Sequence, residues 1–82
     1  VCKSYFGYMT KNPKLVKFGR AVRQLREAKG WSQEELAEYA DLHRNYVSSL
    51  ERGERNVALV NVIKLAEALK IKASKLLSLA SL

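Results

Sequence analysis

Cysteine is almost missing from this 82-residue sequence: Cys2 stands alone, so no internal disulfide can form. Histidine is as scarce. His43 and Cys2 are the only soft ligands, whereas structural zinc takes four, so no metal site is expected. Around the single histidine no Ser–His–carboxylate or Cys–His arrangement can be proposed from the sequence, and the four glycines form no phosphate-binding loop. The chain therefore reads as a non-enzyme without a cofactor. No apolar run approaches the length of a membrane span. The first residues also lack the apolar stretch and small-residue cleavage site of a secretory signal. These absences point to a cytoplasmic protein with no membrane partner.

Positive charge is abundant. Fifteen Lys and Arg stand against eight Asp and Glu, a formal net charge of +7. On so small a domain that balance suits a polyanion, either nucleic acid or an acidic membrane surface. The length allows one domain and one core. Without a disulfide or a metal, a core this small needs compact helix packing, with a second copy of the chain as the expected support.

Val1 to Asn12 carry Tyr5, Phe6 and Tyr8 in no helical or strand period, and residues 1–13 are expected to form a flexible arm. Met9 is a candidate natural start, which would make Val1 to Tyr8 foreign or upstream sequence. The single proline, Pro13, suits the first turn of a helix. Beyond it Leu15, Phe18, Val22 and Leu25 recur every three or four residues, the apolar stripe of a helix over Lys14 to Lys29. Lys14, Lys17, Arg20 and Arg23 fall off that stripe, and Gly30 suits a left-handed cap. Residues 14–82 are thus expected to form the folded domain.

Ser32 followed three residues later by Glu35 is a capping box, and it opens a second, short helix buried through Leu36, Ala37 and Ala40. Asp41 to His43 leave almost no loop before a third helix, whose inward residues are Val47 and Leu50 and whose end is Gly53. Two short helices joined so tightly are the bare form of a helix-turn-helix. A fourth helix over Val57 to Leu69 is apolar around most of its circumference and is expected at the centre of the core. The last segment, Ala73 to Ala80, carries more leucine than one small core needs. Leu76, Leu77 and Leu79 are expected at a dimer contact, with simple packing as the alternative. No strand pattern, repeat or low-complexity stretch occurs, so the fold class is all-α. Trp31, between the first two helices, reads as packing rather than as a base-stacking platform.

The run from Phe18 to Ala37, FGRAVRQLREAKGWSQEELA, resembles the opening of the phage-repressor-like helix-turn-helix family, often called the Xre family. Tyr46 to Gly53, YVSSLERG, is similar to the end of that family's recognition helix. The likeness covers about Leu15 to Leu77 and implies a five-helix, lambda-repressor-like helix-turn-helix bundle. Leu42 to Ser48 and Glu51 to Asn56 further resemble the controller proteins of restriction–modification systems. That subset implies a homodimeric transcription regulator on palindromic operators. Orphan regulators, phage-type repressors and antitoxins share pieces of the pattern and stay open as alternatives. Two positions depart from it: Ala58 and Lys72 stand where a serine or threonine commonly caps the fourth and fifth helices. His43 is an unusual N-cap, although a neutral imidazole nitrogen can accept from an amide.

A helix in the major groove reads bases with its first turn and outward face. On the third helix those positions are Arg44, Asn45, Ser48 and Ser49. Arg44 suits guanine O6 and N7, and Asn45 suits adenine, each in a two-bond pair. The bland alternative for Arg44 is a solvated charge or a phosphate contact. The resemblance implies that Arg55 also reaches the DNA, with Asn56 beside it; a turn role is the alternative for both. Phosphate or shape contacts are expected from Gln33 at the start of the second helix and from Tyr46, Arg52, Asn56, Lys17 and Arg20. The resemblance also implies that Arg26 and Glu51 form a structural ion pair. The partners expected are double-stranded DNA and a second copy of the chain. RNA polymerase is a further candidate through the acidic Glu34, Glu35 and Glu38, which otherwise form a solvated helix face.

Overall fold

The computed structural model describes residues 12–82. The arm expected over the first residues, with its aromatic cluster and Met9, lies outside the described residues up to position 11. Five helices follow one another, with no strand among the described residues: α1 Pro13–Ala28, α2 Gln33–Ala40, α3 Arg44–Glu51, α4 Leu59–Ala68 and α5 Ala73–Leu79. Helix α1 packs on α3 and α5, α2 packs on α3 and α4, and α4 packs on α5.

The helix ends follow from local chemistry. Asn12 caps α1 by accepting the Lys14 amide on Oδ1 at 2.9 Å, and Pro13 is the first helical residue, one earlier than expected. At the other end Gly30 has φ +74°; its amide donates to the Glu27 carbonyl and that of Trp31 to the Arg26 carbonyl. Those paired bonds close the helix through a left-handed residue, as a glycine there permits. The capping box of α2 is complete: the Glu35 amide donates to Ser32 Oγ at 3.0 Å, and the Ser32 amide to Glu35 Oε1 at 2.8 Å.

One left-handed residue, Asp41 with φ 58°, makes the turn between α2 and α3. His43 then caps α3, its Nδ1 accepting the Asn45 amide at 3.0 Å. Ala58 and Lys72 precede α4 and α5 without any side-chain cap. Those two helices are held by burial instead, through Val62, Leu65, Ala66 and Leu69 on one side and Leu76 on the other.

Two expectations about the apolar surplus are corrected. Helix α4 is not enclosed on all sides: Val62, Leu65 and Ala66 face the core, while Leu59 is 70 % and Val60 59 % exposed, and Ile63 is exposed too. An apolar pattern around most of a helix marks candidates for burial, and only the neighbouring helices decide which of them are covered. Leu76, expected at a dimer contact, is fully buried in the chain's own core and has no surface to offer a second copy. Leu77 packs half-buried against that core, and Leu79, 49 % exposed, alone of the three points largely to solvent.

Trp31 is half-buried against the core. Its ring lies 4.5 Å from that of the exposed Tyr39, tilted by 32°, and Lys29 Nζ stands 5.3 Å from its centroid. The residue packs, as expected.

Candidate nucleic-acid interface

Two close approaches set the position of α3. Gly19, buried in α1, lies against the end of α3: a Cβ there would collide with the Leu50 carbonyl and stand 2.7 Å from that of Glu51. Glycine in a helix interior costs about 1 kcal/mol relative to alanine, and here it lets two backbones meet. Gly53, just past α3, has φ +75°, and a Cβ on it would come within 2.9 Å of the Val16 Cα. Both ends of the approach are thus set by glycine.

A buried ion pair clamps the same junction. Arg26, only 8 % exposed, donates from Nε to Glu51 Oε2 at 2.8 Å and from Nη2 to Glu51 Oε1 at 3.1 Å. Its remaining Nη1 donates to the Trp31 carbonyl at 2.8 Å. The hydrogen bonds it donates to Glu51, opposed by burial, hold the pKa of the Arg26 guanidinium above its ordinary value. The clamp extends to α2, where Gln33 Nε2 donates to Glu51 Oε1 at 3.0 Å. Gln33 therefore begins α2 with its side-chain amide tied to α3, and the end of α3 is joined to α1 and α2 through one carboxylate.

With α3 so fixed, its first turn is presented openly. Arg44 and Asn45 are both exposed, and neither side chain has a partner among the described residues. Val47 and Leu50 face the core behind them. Ser48 and Ser49 are half-buried and already engaged. Ser48 Oγ accepts from Arg52 Nη1 at 2.7 Å, and Arg52 Nε also donates to Glu54 at 3.0 Å. Ser49 Oγ donates to the Tyr46 carbonyl at 3.0 Å and accepts from Arg55 Nε at 3.3 Å.

Arg55 also lies over Tyr46, its guanidinium carbon 5.1 Å from the ring centroid. The Tyr46 hydroxyl accepts from Asn61 Nδ2 of α4 at 2.9 Å, so the phenol oxygen is tied to α4. Lys17, Arg20 and Asn56 are exposed and stand outside this hydrogen-bonded cluster.

Most of the expected site residues thus gather around α3. Gln33 joins through Glu51; Ser48 and Arg52 form one pair; Ser49, Arg55 and Tyr46 form another group. The sequence reading missed Gly19 and Asn61. A glycine inside an amphipathic helix was available as a signal of close backbone approach. Asn61 sends none, since a polar residue in a helix is unremarkable until its partner is known. The exposed cations Arg44 and Arg55 sit on a chain of net charge +7, and their planar guanidinium groups suit polyanion grooves. Among the described residues no group of His, Cys, Asp or Glu could hold a metal ion, and no helix is long and apolar enough to cross a membrane.

Comparison with known proteins agrees with this architecture. A family model described as helix-turn-helix matches residues 22–76. Control protein C.BamHI of Bacillus amyloliquefaciens is 50 % identical over 70 residues, spanning 84 % of this chain and 85 % of that one. Control protein C.SmaI of Serratia marcescens is 51 % identical over 57 residues, covering 70 % of this chain and 68 % of that one. Among solved structures, the restriction-modification controller protein C.AhdI from Aeromonas hydrophila superimposes with a TM-score of 0.74. Its sequence identity is 58 %, over 76 % of this chain and 94 % of that one.

Proposed function

The chain belongs to the helix-turn-helix family of DNA-binding transcription regulators and, within it, to the restriction–modification control proteins, and from that premise we propose that it acts as a homodimer on palindromic operators. The observation that carries this reading is the open first turn of α3. Arg44 and Asn45 stand exposed, their side chains without a partner among the described residues, on a helix whose far end is clamped by Arg26 and Glu51.

In this reading Arg44 takes a guanine and Asn45 an adenine through paired hydrogen bonds, each discriminating by about 1–3 kcal/mol. Arg55 reads a further base from the edge of the same cluster. Ser48 and Ser49 reinforce these contacts at close range. Tyr46, Arg52, Asn56, Lys17 and Arg20 serve phosphates or groove shape. Gln33 brings the start of α2 to the backbone, where the positive end of the helix dipole favours a phosphate.

One recognition helix touches too few bases for high specificity, so two copies would place theirs about 34 Å apart, one turn of the duplex. The exposed Leu59, Val60 and Ile63 of α4, together with Leu79 and Leu82, supply the apolar surface that a second copy would cover. The protein would work in the cytoplasm as a regulator rather than an enzyme. The exposed Glu34, Glu35 and Glu38 of α2 are the surface on which a polymerase contact would be sought.

Selection from a pool of random duplexes at two salt concentrations tests the proposal. A recovered palindrome with half-sites one turn apart supports it. Binding that selects no sequence and only fades with salt would reduce it to nonspecific charge attraction.

A further inference from the structure

Arg55 lies in the short connection between α3 and α4, where a long, exposed side chain has wide freedom. Yet two contacts restrict it. Its guanidinium covers the Tyr46 ring at 5.1 Å, and its Nε donates to Ser49 Oγ at 3.3 Å. The Ser49 hydroxyl is in turn oriented by its donation to the Tyr46 carbonyl. The ring that Arg55 covers is itself held at its far end, where Asn61 Nδ2 donates to the phenol oxygen at 2.9 Å. Asn61 lies on α4, 15 residues along the chain from Tyr46, and both are half-buried.

We propose that Asn61 is a positioning residue for DNA recognition: by holding the Tyr46 hydroxyl it fixes the platform on which Arg55 is presented to the bases. This rests on the reading of Arg55 as a base contact. The physical case is one of preorganisation. A long side chain ordered before binding loses less rotational freedom on binding, and that saving appears in affinity and in selectivity at the base it reads. Asn61 itself touches no DNA in this account. Its effect passes through one hydroxyl, one ring and one guanidinium, and it should vanish when any of the three is missing.

Three variants isolate that chain. Tyr46→Phe keeps the ring beneath Arg55 and removes only the oxygen that Asn61 holds. Asn61→Ala removes the donor, and Arg55→Ala removes the group being positioned. Each is put through operator selection and affinity measurement, with thermal unfolding to confirm the fold. Asn61→Ala and Tyr46→Phe are each expected to weaken operator binding about 2- to 10-fold, the range of one net hydrogen bond. They should relax the same operator position that Arg55→Ala relaxes, leave the Arg44 position intact, and cause no further loss in the Arg55→Ala background.

The account is overturned if Arg55→Ala relaxes a position while Asn61→Ala and Tyr46→Phe leave that position sharp. It is also overturned if they weaken all positions equally and do so without Arg55. Failure of the underlying reading looks different: either the wild type selects no operator, or Arg55→Ala relaxes no position in it.

Discussion

Arg26 and Glu51 meet as two parallel hydrogen bonds, 2.8 and 3.1 Å long, between helices whose sequence positions are 25 apart. The pair ties α3 to α1, and Gln33 adds α2 to the same carboxylate at 3.0 Å. Removing one partner leaves a buried charge without compensation. Arg26→Ala should therefore cost about 3–5 kcal/mol of folding stability in urea denaturation. The double variant Arg26→Met/Glu51→Leu should recover most of that loss. The folded-state pKa of Arg26 lies above its unfolded value, so its stabilisation is complete below the ordinary arginine range. It is lost only as pH rises through the raised value. Denaturation midpoints should accordingly show no loss attributable to Arg26 between neutral pH and pH ~10.

Gly19→Ala should destabilise the protein even though alanine is the better helix former. The added methyl would meet two backbone carbonyls of α3, atoms that cannot rotate away. A loss of about 1–3 kcal/mol is expected, with weaker operator binding as α3 is displaced. A gain in thermal stability on this substitution would contradict the close approach described above.

Lys70 ends α4 with φ 59°, a left-handed residue that carries a side chain. Lys70→Gly relieves that conformation and should raise stability by roughly 1 kcal/mol, read as a higher urea midpoint. Asp41, with φ 58° in the turn before α3, should respond to glycine in the same direction.

Leu76 and Leu79 separate core from contact surface. Leu76→Ala empties a fully buried site and should cost about 2–5 kcal/mol. Leu79→Ser and Val60→Lys act on exposed positions and should alter stability of the single chain little. If α4 and the C-terminal residues form the dimer contact, those two substitutions shift the mass measured by light scattering towards the monomer. An unchanged dimer in both would place the contact elsewhere.

Much of this architecture was legible because it rests on short-range chemistry. Ser32 with Glu35, Gly30, Gly53 and the Leu36, Ala37, Ala40 face each act within a turn or two of helix, where spacing alone decides. The ion pair of Arg26 and Glu51 came through likeness to a family, since no local pattern links residues so far apart. What stayed hidden depended on which helix covers which. Periodicity could not show that Leu59 and Val60 of α4 would be left open while Leu76 of α5 was enclosed. Nor could it pair Asn61 with Tyr46, a contact that exists only after α3 and α4 have docked.

The central claim is that the open first turn of α3 reads sequence, and Arg44 is its sharpest test. Wild type and Arg44→Ala would be used to select operators from the same random pool under the same salt conditions. One symmetric position in each half-site should be sharply specified by the wild type and relaxed in the variant, with the remaining positions retained. If Arg44→Ala recovers the wild-type palindrome unchanged, Arg44 reads no base, and the assignment of this turn as the reading surface is wrong.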